Sequence, residues 1–474
     1  MFAFLLLLAF LTDTPSLRIE TSGARASGYF LIGGLNVDSA GLVDNTGSFV
    51  HAIQTGPNIN QHPTPYRGYT YYDGLLRAYV VVDASLRKID TFNVTPPYTT
   101  DFHEGYQTRG RRYIALGTEA RTLDLSGLIQ GASDSAHVIG AIVQEIDRRG
   151  RVTFEWRSLD HIPITVATPD IDLTHNRIDY LHVNAVIEDE TGDLILSCRN
   201  AVQLIKIDRS SGSVEWVLGG SASQRNDFTF VNDTVGDFVG FSHQHSPVVS
   251  NEGEILLFDN GNLKSSRQSR VVAYKINTTL MTATKTWEYT PPYPTFSPTM
   301  GSVQQLENGN ILIGWGTTQN GLVATEVSRN GTIHAEITTP HPLAFPYRVY
   351  KAPIAMTAVT KTISDKELVE FTTLDSTTKF TLLANTLEDP TEVTIERHTY
   401  PPNHIIYRDT IPCHVFPERW VVMFNNPSNT YTAFIDVART IAEEDPSAVR
   451  VYYRPKEGVG EFVAVSATQH EHPP

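Results

Sequence analysis

The chain has 474 residues with a formal net charge of −15, which is long for one domain and indicates two or three. The acidic balance excludes a nucleic-acid partner, because neutralising phosphates needs a basic face. A hydrophobic content of 41% excludes a disordered chain, and two cysteines, Cys198 and Cys413, exclude a disulfide framework.

The run Phe2 to Leu11 is apolar but too short to span a bilayer. It reads as the apolar region of a signal peptide, although no Lys or Arg precedes it; Ala24-Arg25-Ala26 fits a cleavage site, and an N-terminal strand is the alternative. Residues 1–27 are therefore expected to be a signal peptide or N-terminal segment. The protein is expected to be secreted or periplasmic, with membrane association limited to that segment if it stays uncleaved. Sequons at Asn93, Asn232, Asn277 and Asn330 are compatible with a secreted glycoprotein.

Strand and turn signals begin at Tyr29-Phe-Leu-Ile32 and Ser48-Phe-Val50. From about residue 66 a unit recurs, most visibly as a strand, a polar turn and a strand with an aromatic residue. Copies are Val143 to Trp156, Leu204 to Trp216, Val271 to Tyr289 and Thr325 to Ile337, with a degenerate one at Ala78 to Phe92. Four strands per roughly 40–60 residues is a propeller blade. Five copies plus the strands at 29–50 predict an all-β fold with a six-bladed β-propeller over residues 28–350. The repeat stops at Phe345-Pro-Tyr-Arg-Val-Tyr350. Segments such as Val369-Glu-Phe-Thr-Thr, Phe380-Thr-Leu-Leu-Ala, Glu392-Val-Thr-Ile-Glu and Trp420-Val-Val-Met-Phe then predict a small β-sandwich over 351–474.

The chemistry concentrates where each blade's innermost strand begins. His103, His182 and His245 occupy that place in three blades, and Gly301 in a fourth. Antiparallel pairing about the turn Asp189-Glu-Thr-Gly-Asp193 returns Arg199 to a point beside His182, with Asn184 close by. His243 lies two residues before His245, on the other face if the chain is extended, and is the weaker candidate. Three histidines and a planar guanidinium suit transfer of an anionic group: a neutral imidazole attacks and the guanidinium holds the charge. A zinc site is the rival. The arginine opposes it, as does the lack of Asp, Glu or Cys at equivalent positions, so neither metal nor cofactor is expected. Hydrogen-bonded channel histidines without chemistry are the other alternative.

Leu181-His-Val-Asn184, Leu196-Ser-Cys-Arg-Asn200, Ile205-Lys-Ile-Asp208, Trp216-Val-Leu-Gly219, Gln244-His245 and Leu257-Phe-Asp-Asn-Gly261 together resemble the arylsulfotransferase (arylsulfate sulfotransferase) family. The resemblance runs over roughly 66–350. It implies a six-bladed propeller that moves a sulfuryl group from a small phenolic sulfate donor to a phenolic acceptor by a ping-pong route, with no nucleotide donor. It implies that His245 is the nucleophile that becomes sulfated, that His182 and Arg199 stabilise the sulfate, and that His103 is the remaining channel histidine. Asn184 and His243 are expected to bind substrate. Two features depart from the family: the extra β-domain follows the propeller, and Ser246 follows the nucleophile where relatives often carry an acidic residue. A propeller that only binds sulfated or phenolic glycans is the alternative function. Trp156, Trp216 and Trp287 read as core, Cys198 as a buried thiol with a bridge to Cys413 as the minority view, and Ser221 to Gly240 as a lid.

Overall fold

The structure is a computed structural model. It describes residues 17–387 apart from 22–25, 27, 37–38, 44–46, 48, 55–59, 66–67, 83–87, 236–237, 341–344, 353–355 and 373–377. Beyond residue 387 it describes the strands 391–398, 419–424, 430–437, 451–453 and 463–465. The apolar run at 2–11, most of the cleavage pattern at 24–26 and Cys413 lie outside the described residues. Among those described, no helix is long and apolar enough to cross a membrane.

Residues 1–352 and 353–474 are separate compact units. Among the described residues the first holds six sheets with four antiparallel strands in common, the six blades of a propeller, and three of them take up a fifth strand. Blade four shows how sequence makes a blade: Val183–Glu188, Leu194–Cys198, Gln203–Ile207 and Val214–Gly219 pair in order from the inside out. Its turn is set by Asp189, whose Oδ1 accepts from the Thr191 and Asp193 amides at 2.9 and 3.0 Å. Every residue of Leu194–Cys198 is buried, because a second strand has a neighbouring blade on each face. That is why the middle strands read as unbroken apolar runs rather than as alternation.

The hydrophobic core is divided into wedges between blades. One joins Tyr106, Ile114 and Val143 of blade three to Val183, Leu196 and Ile205 of blade four. Another joins Leu204 and Leu218 to Leu257 and Tyr274 of blade five, and a third joins Phe258 and Val271 to Val303 and Ile313 of blade six. The tryptophans tie neighbours at their edges: Trp156 Nε1 donates to Gly212 O at 3.1 Å and Trp287 Nε1 to Arg329 O at 2.9 Å. Apolar side chains are thus used up between blades, and the axis is left to polar ones.

The ring closes with strands distant in sequence. Val349–Ala352 is the innermost strand of blade one and pairs antiparallel with Tyr29–Ile32 of Tyr29–Asn36. Part of the N-terminal segment also joins the propeller: Arg18–Thr21 adds a fifth strand outside Ile333–Thr338 of blade six. Fully buried Lys351 secures the seam, its Nζ 3.1 Å from Glu326 Oε2 and 4.6 Å from the centre of the Phe30 ring.

In the second unit Met356–Ile363, Thr391–His398 and Arg419–Phe424 form one antiparallel sheet. Leu368–Thr372, Thr378–Thr386 and Thr430–Val437 form another, and Val451–Tyr453 pairs with Val463–Val465.

Candidate active site

Blade five delivers His245 as the first residue of its inner strand, His245–Val249. The approach is not extended. His243 has φ 51° and Ser246 φ 43°, left-handed values that side chains rarely adopt, and the register slips between His245 and Val248. The backbone is clamped on both sides. The Ser242 amide donates to buried Asp259 at 3.0 Å, and Asn184 Nδ2 donates to Gln244 O at 2.8 Å. The Gln244 amide group in turn reaches Gln203 O at 2.8 Å in blade four.

His245 is 3% exposed. Its Nδ1 lies 2.7 Å from Gly301 O and 2.8 Å from Ser246 Oγ, while Nε2 has only the Tyr347 hydroxyl, at 3.5 Å. The carbonyl can only accept, so it fixes the proton on Nδ1 and leaves a lone pair on Nε2, on the Tyr347 side of the ring. Burial lowers the His245 pKa well below the usual imidazole range, and Arg348 and His103 lower it further. Gly301 supplies this carbonyl from φ 100°, and a Cβ there would stand 2.6 Å from Phe258 Cδ1, so only glycine fits.

The other rings follow in series. Tyr347 meets His245 edge-on with centroids 5.5 Å apart and His103 at 6.0 Å; His103 meets His182 at 4.8 Å and 84°. His103 Nδ1 is 2.5 Å from Asp101 Oδ1, and His182 Nδ1 is 2.7 Å from Asp179 Oδ2. Each carboxylate holds the proton on Nδ1 and presents Nε2 as the working edge. His182 itself has φ 46°. No carboxylate occupies the equivalent positions themselves, yet two carboxylates stand beside the histidines. Asp101 and Asp179 lie two and three residues before their histidines and fold back on them. Among the described residues, no group of three or more His, Cys, Asp and Glu side chains is arranged to hold a metal ion.

Arg199 lies where the hairpin arithmetic points: its amide donates to His182 O at 3.0 Å. Its guanidinium reaches Asn200 Oδ1 at 3.1 Å and Pro298 O at 3.4 Å, weak neutral partners that leave its charge available. Burial lowers its pKa, opposed by Asp170 and Asp179. His243 does not turn away from this group, because the left-handed backbone breaks the two-residue alternation. Its Nε2 is 3.2 Å from Asp170 Oδ2, misaligned for a hydrogen bond, and neither ring nitrogen has a hydrogen-bonding partner. Burial and then Arg199 lower its pKa to about 4. Asn184 is fully buried with Oδ1 unpartnered. The structure thus brings His103, His182, Tyr347 and His245 into ring contact, with Arg199, Asp170 and His243 on the His182 side.

Sequence reasoning missed Tyr347, Asp101, Asp179 and Asp170. Tyr347 lies in the aromatic segment 345–350 that looks like the end of the repeat and is in fact the entry to the closing strand. The described residues of 221–240 pack as a buttress on blade five, where the sequence suggests a lid. Thr229–Val231 pairs in parallel with Thr282–Thr284 at the outer edge of blade five, and Phe228 and Phe230 pack between blades four and five. Cys198 is a buried free thiol in the core between blades three and four.

Buried His245 bonded to a backbone carbonyl, two histidines paired with carboxylates and a weakly paired guanidinium form an arrangement that suits an anionic group. The chain belongs to the arylsulfotransferase (ASST) family, whose sequence model matches residues 58–374. Sulfotransferase activity is the activity of that family. Among solved structures, a protein of unknown function from Bacteroides caccae is similar at 8% identity and TM-score 0.46, over 68% of this chain and 98% of its own. Virginiamycin B lyase from Staphylococcus aureus is similar at 10% identity and TM-score 0.32, over 79% and 87%. No curated protein sequence matches the chain significantly.

Proposed function

We propose that the protein transfers a sulfuryl group from a phenolic sulfate ester to a phenolic acceptor in two steps, through a sulfated His245. The observation that carries this reading is the His245 ring itself. It is buried, and its Nδ1 lies 2.7 Å from Gly301 O, a partner that can only accept, which places the proton there and leaves Nε2 with a lone pair. In the first step the Nε2 lone pair attacks sulfur, the N–S bond forms and the bond from sulfur to the aryl oxygen breaks. The departing phenolate takes a proton from His103 Nε2, while Asp101 holds the positive form of that ring. The sulfated imidazole gains positive character, which the Gly301 carbonyl stabilises through the Nδ1 proton. Arg199 and His182 carry the charge of the sulfuryl oxygens. In the second step the acceptor phenol returns its proton to His103, its oxygen bonds to sulfur, and the N–S bond breaks. Asn184 and His243 line the donor side, and no metal or organic cofactor enters either step.

The same reading takes the protein as secreted or periplasmic, with glycans on Asn93, Asn232, Asn277 and Asn330, all exposed. It takes residues 353–474 as a β-sandwich accessory domain outside the chemistry. The test is transfer from 4-nitrophenyl sulfate to a simple phenol, followed by nitrophenolate absorbance. With donor alone, an alkaline quench and mass spectrometry should find one added SO3 on the peptide containing His245. The same addition on His182 or His103 would move the nucleophile. Absence of turnover with any phenol, together with tight binding of a sulfated glycan, would make the propeller a binding module.

A further inference from the structure

One buried ion pair near the histidines takes no part in the steps above. Arg348 is 1% exposed and Glu104 3%. Arg348 Nη1 lies 3.1 and 3.0 Å from the two Glu104 oxygens, and Nη2 donates to Asn184 O at 2.6 Å. The Tyr350 hydroxyl is 3.5 Å from Nη1, and Nε has no partner. Each of these residues follows a channel residue by one or two positions: Arg348 follows Tyr347, Glu104 follows His103 and Asn184 follows His182. Asn184 then bonds Gln244 O, immediately before His245. Four blades are therefore tied together by residues within one or two positions of the reactive rings.

A buried ion pair is a costly way to gain stability, since desolvation consumes most of the attraction and an apolar pair of the same shape often does better. The wedges between blades already supply apolar packing. What an arginine offers here, and an apolar residue does not, is a fixed set of directed bonds and a positive charge 5.4 Å from the centre of the Tyr347 ring, which itself meets His245 edge-on.

We propose that Arg348 is a positioning residue that cross-ties the inner strands of blades one, three and four beside the reactive ring and, with Glu104 as its counterion, sets the charge that His245 experiences. The proposal rests on His245 being the nucleophile. The titratable groups facing His245 are Tyr347 from blade one, His103 from blade three and His182 from blade four, besides Arg348 itself. Arg348 in turn faces Glu104, Tyr347 and Tyr350, and Glu104 also faces half-buried His62 of blade two. Of the groups acting on His245, Arg348 alone keeps its charge at every working pH. Removing it makes the His245 ring easier to protonate, and a protonated ring cannot attack.

The test uses the full chain and the pH dependence of kcat/KM for 4-nitrophenyl sulfate, with thermal unfolding to confirm that each variant is folded. Arg348→Gln should move the acid limb up by about one pH unit or more, losing activity at low pH and recovering much of it at high pH. Arg348→Lys should hold the limb near its original place. Glu104→Gln removes the counterion and should move it the opposite way, to lower pH. The rate at which diethyl pyrocarbonate acylates His245, read on its peptide by mass spectrometry, should follow the same order without any turnover. Folded variants that lose activity equally at all pH values, with unmoved limbs and unmoved acylation, would make the pair purely structural and overturn the proposal. Full turnover in His245→Asn would instead remove the reading on which it rests, whatever the Arg348 variants do. If Arg348→Gln does not fold, Arg348→Lys and Glu104→Gln still decide, because only an electrostatic role moves their limbs in opposed or unequal ways.

Discussion

Asp101→Asn would keep the shape of its side chain while turning an acceptor into a possible donor toward His103 Nδ1. That favours the other tautomer, with the proton on Nε2, and removes the site that receives the acceptor's proton. The expected result is a fall in kcat/KM on the order of 10² or more with little change in thermal unfolding, measured with 4-nitrophenyl sulfate. Arg199→Lys keeps a charge but loses the planar fork, so it should also cost on the order of 10² in rate. His245→Asn should abolish both half-reactions and the SO3 addition together. Because burial holds His245 largely unprotonated through the neutral range, wild-type activity should persist below the pH at which an ordinary histidine protonates. At this scale the sequence was readable where a repeat fixed the frame: His245 begins an inner strand, His182 stands immediately before one, and one hairpin turn sufficed to place Arg199. His103 was expected at a strand start but lies inside Thr99–Gln107, where the register slips against the next strand. It was unreadable where backbone conformation decides direction. His243 at φ 51° breaks the alternation that would have turned it away, and the turns that fold Asp101 and Asp179 onto their histidines leave no periodic trace.

A strand end acts on the chemistry through its carbonyl as much as through its side chain. Gly301 begins the inner strand of blade six without a histidine, yet its carbonyl orients the histidine of blade five. Gly301→Ala should force a Cβ against Phe258 in a left-handed backbone, costing about 2 kcal/mol or more by chemical denaturation. It should also slow the donor half-reaction by releasing Nδ1. The blades were legible as elements because their second and third strands are buried on both faces, and so appear as short apolar runs between polar turns. Two elements were not. Arg18–Thr21 and Val349–Ala352 each pair with a partner about three hundred residues away in sequence, and no local pattern records such a partner. The aromatic residues of 221–240 suggested a cover for a phenol; Phe228 and Phe230 instead pack between blades four and five, beside and within an added edge strand on blade five.

On the scale of the whole molecule, every residue assigned to the chemistry lies before Val349, and the second unit begins at residue 353. A chain ending after residue 352 should remain folded and keep its turnover with 4-nitrophenyl sulfate. One ending before residue 345 lacks the closing strand, and should show early, broad unfolding and no activity. Loss of turnover in a soluble, folded 1–352 chain would assign part of the site to the second unit. The order of strands in the closing blade also bears on how the protein is made. Tyr29–Asn36 leaves the ribosome early and has no inner neighbour until Val349–Ala352 follows, an interval of roughly 15–60 s at about 5–20 residues per second. Throughout that interval Tyr-Phe-Leu-Ile is an open apolar edge, the kind of surface that chaperones hold. Tyr347 and Arg348 emerge with the same late segment, so a nascent chain has no complete site, and the proposed transfer can begin only once the ring has closed.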